Sequence, residues 1–373
     1  MVKMHILKSA VLKGAAFFIL GILYIHPLLA DQPTIEKIGP VLHHPWGMDL
    51  LPNGDMLVTE QRGNLIRINL TSGIAHQIGN IPDVYHKRQG GLLDILVSGD
   101  EIHICYARPD GTRASTAIDR ARLDIDKNTL IDRETIFIAN NPSRGGVHFG
   151  CRLARASTGP DAGYLFASLG DRGKRDNAQA PDHHAGSIIR LFPDGRIPTD
   201  NPNQAGWTAE TWSIGHRNPQ GMTSNPDTGA IWAHEHGPRG GDEINLILRG
   251  KNYGWPKVSH GREYATGLRV STYQSLAGYV DPHWVWDPSI APSGMAFYPH
   301  DATMFPDLQG HLLVGSLKFR QLWLVRMVNG IPADESILMD RAIGRIRDVM
   351  IAPDGSILLL NDEVQGGLYR ISR

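Results

Sequence analysis

The residues able to do chemistry fall into three groups. His148 lies in RGGVHFGCRLA (144–154), flanked by Gly145, Gly146 and Gly150 just ahead of a short apolar run. One imidazole gathered with guanidinium and amide groups would line a site for an anionic ligand. HEHGPRGGDEIN (234–245) carries His234, His236, Asp242 and Glu243. Two histidines alternating on a strand share a face, but no third ligand stands nearby at a zinc-like spacing. The acids, with carbonyls around Gly237 and Pro238, better suit a hard cation such as calcium. The third group is cationic and amide: Gln89, Arg217 with Asn218, Lys318, Arg345 and Arg347. Guanidinium pairs bidentately with carboxylate, so these side chains gathered in one place would suit an anionic ligand bearing several carboxylates. There is no G-x-S-x-G elbow, no dinucleotide fingerprint after a strand and no P-loop, which argues against a serine hydrolase, a nicotinamide enzyme and an NTPase.

Residues so far apart need a scaffold that returns repeatedly to one place. After Asp31, short runs rich in Val, Ile, Leu, Tyr and Trp, such as DMLVTE, GYLFASLG, HLLVGSL and SILLLND, recur between Gly, Pro, Asn and Asp clusters. This pattern predicts an all-β chain. The turns in LPNGDMLV, NPDTGAIWA and APDGSILLL suit tight connections between antiparallel strands. A second element precedes them in PWGMDLLPNG, NPQGMTSNPDTG, PSGMAFYP and RIRDVMIAPDG, and two copies without the turn stand in RQGGLLDILVSGDE and GGVHFGCRLA. Six copies of a unit of about four strands predict a six-bladed β-propeller with four-stranded antiparallel blades, each glycine-rich start entering an innermost strand. A strand near Thr34–Gly39 is expected to complete the closing blade, and two packed β-sandwiches are the alternative architecture. In the propeller, Trp46, Gln89, His148, Arg217, Asn218, Ser293, Arg345 and Arg347 would converge at one channel mouth.

The chain has 373 residues, 41% hydrophobic and 20% charged, with a formal net charge of −1. That is an ordinary globular composition with no basic excess for nucleic acid. Residues 1–30 differ: Lys3, Lys8 and Lys13 precede the apolar GAAFFILGILYI, and Ala30 precedes the polar DQPT. This reads as a secretory signal peptide, with a retained anchor as the alternative because Leu28 stands where a small residue is usual. A single catalytic domain over 31–373, periplasmic or secreted and with no stable membrane insertion, is expected after cleavage. Cys105 and Cys151 are too few for a disulfide scaffold; an oxidising compartment would permit a bridge, and two buried free thiols fit equally.

The motifs QGGLLDI, GGVHFGCRL, LGDRG, DNAQ, IGHRNPQGM, EHGPRGGDEIN, KNYGWP and RIRDV, in this order, closely resemble the soluble aldose sugar dehydrogenases that use pyrroloquinoline quinone, relatives of soluble quinoprotein glucose dehydrogenase. The resemblance runs from about Pro45 to the C-terminus and implies a six-bladed propeller. It implies oxidation of the C1 hydroxyl of aldose sugars to lactones, with hydride passing to the quinone and onward to an electron acceptor that no motif specifies. His148 matches the catalytic base, Asp171 the carboxylate orienting it, and Arg217 a group stabilising charge on the quinone oxygens. Gln89, Asn218 and Tyr264 match quinone-contacting positions, and Lys318, Arg345 and Arg347 the cations holding its carboxylates. Gly237 and Pro238 match carbonyl ligands of a calcium ion at the quinone; Glu243 and Tyr253 match ligands of a second, structural calcium. The chain departs from the family at Ser187, commonly lysine, and at Cys151, frequently glycine. A lactonase or esterase, or a non-catalytic extracellular propeller, are the alternatives; the first would need several side-chain carboxylates converging on the channel.

Overall fold

The computed structural model describes residues 32–373; the expected signal segment lies outside them. Six four-stranded antiparallel sheets are present. Outward from the axis, the first blade holds Pro45–Leu50, Asp55–Glu60, Asn64–Asn69 and Ala75–Ile78, and the second Leu92–Ser98, Glu101–Asp110, Arg113–Asp124 and Thr129–Ile138. The third holds Leu153–Arg155, Leu165–Leu169, Ser187–Leu191 and Thr211–Ile214, and the fourth Pro219–Ser224, Ile231–Glu235, Asp242–Leu246 and Trp284–Trp286. The fifth runs from Pro292–Phe297 through Leu312–Ser316 and Gln321–Val328 to Ile331–Asp340. The sixth combines Ile346–Ile351, Ile357–Asn361 and Gly366–Ser372 with the N-terminal strand Thr34–Leu42, which pairs antiparallel with Gly366–Ser372 from Thr34 opposite Ser372. The two ends of the described chain thus share one sheet and close the ring. No helix among the described residues is long and apolar enough to cross a membrane.

The apolar runs lack clean alternation because both faces of each blade are covered. In Asp55–Glu60, Leu57 packs toward the second blade, whereas Met56 and Val58 pack toward the sixth. Six apolar clusters fill the six interfaces between neighbouring blades. Such a ring buries strand faces and leaves only short sheet edges.

The recurrent glycine of the inner strands marks close approach at the axis. A Cβ on Gly294 would stand 2.3 Å from Asp348 Oδ1 and 2.5 Å from its Cα. Register shifts recur beside it: the inner strand slips against its neighbour between Pro45 and Met48, Leu92 and Ile95, Pro219 and Gly221, Pro292 and Met295, and Ile346 and Asp348. Bulges of this kind re-aim side chains at the rims of closed sheets, and here all stand at the end of the inner strands where the predicted site residues gather.

The axis is closed by an ion cluster that sequence reasoning missed. Arg152 Nη1 lies 2.9 Å from Asp94 Oδ1 and 2.8 Å from Asp348 Oδ1, while Nε donates to the Gln220 carbonyl and Nη2 to that of Arg347. Its guanidinium lies over the Trp46 ring at 4.4 Å. Arg152, Asp94 and Asp348 are all buried, so this cluster joins inner strands of three blades to the third and separates the two ends of the channel.

Candidate active site

At one end of the channel is a cavity of about 550 Å³. Gln89, Asn218, Lys318, Arg345 and Arg347 all line it, with Trp46, His236 and Asp362. Two arginines and a histidine meet one carboxylate there. Asp362 takes Arg347 Nη2 at 2.7 Å, Arg345 Nη2 at 3.3 Å and His44 Nδ1 at 2.8 Å. Burial raises the Asp362 carboxyl, but Arg347, His44 and Arg345 overcome this and hold it far below the usual range. Lys318 Nζ has no carboxylate partner among the described residues and donates to the Ser289 carbonyl at 2.9 Å. The cavity therefore keeps an excess of positive charge, which suits a polycarboxylate anion.

His148 stands beside it: the next residues, Phe149 and Gly150, line the cavity, as does Gln89, which the His148 N–H meets. The loop carrying it crosses the LGDRG segment, because Gly170 leaves room: a Cβ there would lie 2.2 Å from the His148 carbonyl oxygen. His148 itself has φ +52°, an uncommon conformation for a residue with a side chain, fixed here by its contacts. Its N–H donates to Gln89 Oε1 at 2.7 Å, and its Nδ1 lies 2.6 Å from Asp171 Oδ1. Asp171 also accepts from the Gly173 N–H at 2.7 Å and, on its other oxygen, from Trp255 Nε1 at 2.8 Å. The carboxylate accepts at both oxygens, so Nδ1 carries the proton and Nε2 is left as the acceptor. Trp255 was not anticipated, although it ends the quoted KNYGWP motif but for one residue; nothing in that motif reveals a donor to Asp171.

Burial lowers the His148 pKa from its ordinary 6.5, Asp171 opposes this, and Arg217 and Arg172 add to the lowering. Burial raises Asp171, but its bonds to His148 and Gly173 and the Arg217 charge bring it below the usual value. In the metal-free, quinone-free protein we expect the His148 ring to titrate below 6.5 by histidine NMR, leaving the imidazole unprotonated at neutral pH. Titration at or above 6.5 would contradict that balance.

Arg217 is 8% exposed. It donates to the His236 carbonyl at 2.8 Å and lies 5.3 Å from the Trp255 ring centroid. Of the positions predicted at the channel mouth or against the quinone, four are outside the cavity lining: His148 and Arg217, which stand beside it, and Tyr264 and Ser293. Tyr264 is 67% exposed, on the long insertion before the fourth blade's outer strand. Ser293 is buried and donates to the Ile346 carbonyl at 2.7 Å, tying the fifth blade to the sixth.

The carbonyl and carboxylate groups divide differently from the expectation. Asp242 is spent on the backbone: Oδ1 accepts from the Gly237 N–H and Oδ2 from Ser289 and Ala291. It shapes the Gly237–Pro238 turn. The Pro238 carbonyl accepts from the Arg262 N–H at 2.8 Å. Glu243 is directly opposite Glu235 across two strands, and burial together with that like charge pushes its pKa well up. Glu235 is itself engaged by His216 Nδ1 and the Arg217 N–H. Asn245 Oδ1, next along the same face, is buried without a hydrogen-bond partner. Facing carboxylates and an orphaned amide oxygen fit a hard cation. The Tyr253 hydroxyl donates to the Leu246 carbonyl and accepts from the Leu248 N–H, leaving the Tyr253 carbonyl oxygen as the group that could ligate a cation. Among the described residues no group of three or more His, Cys, Asp or Glu is placed to hold a metal ion, so a cation here would also need carbonyl and amide oxygens. His234 and His236 do not form a metal pair: His234 is fully buried and His236 Nε2 lies on the Pro292 carbonyl.

Cys105 and Cys151 form a disulfide, deciding between the two open readings. It pins the chain three residues after His148 to the second blade. Cys151 has φ +71°, which explains why glycine suits this position. Ser187 is buried and donates to the His184 carbonyl at 2.6 Å.

Comparison with known proteins agrees with this geometry. Residues 42–370 match the Glucose / Sorbosone dehydrogenase family. An aldose sugar dehydrogenase of Escherichia coli (strain K12) is 39% identical over 373 residues, covering 96% of this chain and 98% of the relative. The crystal structure of the soluble aldose sugar dehydrogenase from Escherichia coli in the apo-form superposes with a TM-score of 0.86 at 37% identity, covering 91% of this chain and 99% of that one. The PQQ-bound form of an aldose sugar dehydrogenase from Streptomyces coelicolor gives 0.74 at 26% identity, covering 91% and 98%. With the family model matched over nearly the whole described chain and a relative 39% identical along almost its full length, the protein belongs to the Glucose / Sorbosone dehydrogenase family.

Proposed function

We propose that this protein oxidises the C1 hydroxyl of aldose sugars to the lactone, with pyrroloquinoline quinone as its resident acceptor. The observation that carries the reading is an oriented imidazole beside a cavity with surplus cations. Lys318, Arg345 and Arg347 would hold the quinone's carboxylates, with Gln89 and Asn218 against it; bound there, the quinone supplies a two-electron acceptor for the hydride leaving C1. Nε2 of His148 takes the C1 hydroxyl proton, and Asp171 supports the imidazolium that results. Arg217, held by the His236 carbonyl, stabilises negative charge developing on the acceptor oxygens. A calcium ion bound through the Gly237 and Pro238 carbonyls would supply Lewis acidity. A second, at Glu243 and the Tyr253 carbonyl with Asn245, would relieve the Glu235–Glu243 repulsion. Tyr264 is not needed for this assignment. The lactonase alternative finds no support at this end of the channel, where Asp362 is the one lining carboxylate and is taken up by two arginines.

The test is spectroscopic. Protein loaded with quinone and calcium should lose the oxidised-quinone absorbance on adding an aldose, and chelation should abolish dye-linked sugar oxidation. Undiminished oxidation after verified removal of both metal and quinone would overturn the proposal.

A further inference from the structure

Beside the channel cavity is a second one, of about 770 Å³, lined by Arg88, Arg113, Arg144, Arg172 and Lys174. No Asp or Glu among the described residues lines it. Arg113 has an exposed partner in Asp110 at 3.0 Å; the other four cations have no carboxylate within ion-pair distance among the described residues. Arg172 is the unusual member, at 4% exposure. Its guanidinium lies on the Phe149 ring at 3.3 Å, it donates from Nη1 to the Val147 carbonyl at 2.6 Å and from Nη2 to that of Ala114 at 3.5 Å, and its Nε is buried with no partner. Burial draws its pKa down to about 10. A buried guanidinium without a counter-charge is costly, and Asp171, the nearest acid in sequence, is committed to His148, Gly173 and Trp255.

The position of this cavity says what would fill it. Val147 lines the basic cavity and Phe149 the channel cavity, with His148 between them in the chain, and Arg88 lines both. A molecule with its reacting carbon at His148 would place its far end among these cations. We propose that the cavity receives an oxyanionic group, carboxylate or phosphate, on a carbon remote from C1, making anionic aldoses the preferred substrate class. This rests on the function proposed above. The concave wall selects a small group, which Arg88, Arg144 and Lys174, none with a carboxylate partner among the described residues, bind in charge-assisted pairs.

The test compares glucose, glucuronic acid and glucose 6-phosphate on quinone- and calcium-loaded protein, wild type against an Arg144→Gln/Lys174→Gln variant. Both side chains are exposed and outside the catalytic and quinone-binding groups. Wild type should show a higher kcat/KM for at least one anionic sugar than for glucose. The variant should lose roughly tenfold or more on that sugar, the scale of one charged hydrogen bond, with glucose little changed. Which sugar responds distinguishes carboxylate from phosphate. In parallel, inorganic phosphate is titrated calorimetrically into quinone-free protein, where wild type should bind more tightly than the variant. Glucose oxidised as well as both acids, with no phosphate binding, would overturn this inference and leave the proposed function standing. If no sugar bleaches the quinone, the substrate assignment falls together with that function, even where the variant weakens phosphate binding.

Discussion

His148→Ala is expected to slow reduction of the bound quinone by sugar by about 10²- to 10⁴-fold, the usual contribution of a general base, while quinone still binds. The separation follows from the geometry. The imidazole is oriented by Asp171 and is not among the groups lining the cavity, whereas Lys318, Arg345, Arg347, Gln89 and Asn218 line it. The Gln89 contact uses the His148 backbone N–H, so alanine retains it. Stopped-flow bleaching on addition of sugar, with quinone affinity measured separately, checks both halves. Arg217→Ala should behave differently, affecting quinone binding as well as rate, because the proposed assignment sets that guanidinium against the cofactor. Bleaching of His148→Ala at the wild-type rate would make the histidine structural and require another base.

The largest effect on stability is expected at the axis. Arg152→Met removes the one cation within 2.9 Å of both Asp94 and Asp348 and should cost about 3–5 kcal/mol, as breaking a buried ion cluster by deleting one partner does. Even with Arg152 present, burial raises the Asp94 pKa to about 6 and raises that of Asp348. For an acid whose folded pKa exceeds its unfolded value, stability is fullest below the unfolded pKa and falls as pH rises toward the folded one. Removing Arg152 raises both folded values further. The deficit of Arg152→Met should therefore be small near pH 4 and grow through pH 7. Urea denaturation at several pH values reads this, and Asp94→Asn in the same background should recover part of the loss at pH 7. A deficit independent of pH would mean that lost packing on Trp46, rather than uncompensated charge, sets the cost.

Sequence determined the repeating architecture, because it is written locally. Strand runs with apolar residues on both faces, turn residues between them and six glycine-rich starts each follow from steric and burial rules acting over a few residues. The closing strand Thr34–Leu42 was legible for the same reason, as was His148 among its glycines, and the ordered motifs assigned Asp171 to it. What remained open depended on distance between residues remote in the chain. Tyr264 is outside the cavity because the insertion carries it to the surface, and Ser293 turns into the blade interface. Asp242 resembles a metal ligand until the backbone N–H groups of Gly237 and Ala291 are seen to occupy it. The Cys105–Cys151 bond, the Trp255 donor to Asp171 and the Arg152 cluster join different blades, and so does the ring of cations beside Val147. No local pattern encodes such contacts, since hydrogen bonds and ion pairs are set by where the closed ring brings side chains, and only the tertiary structure decides that.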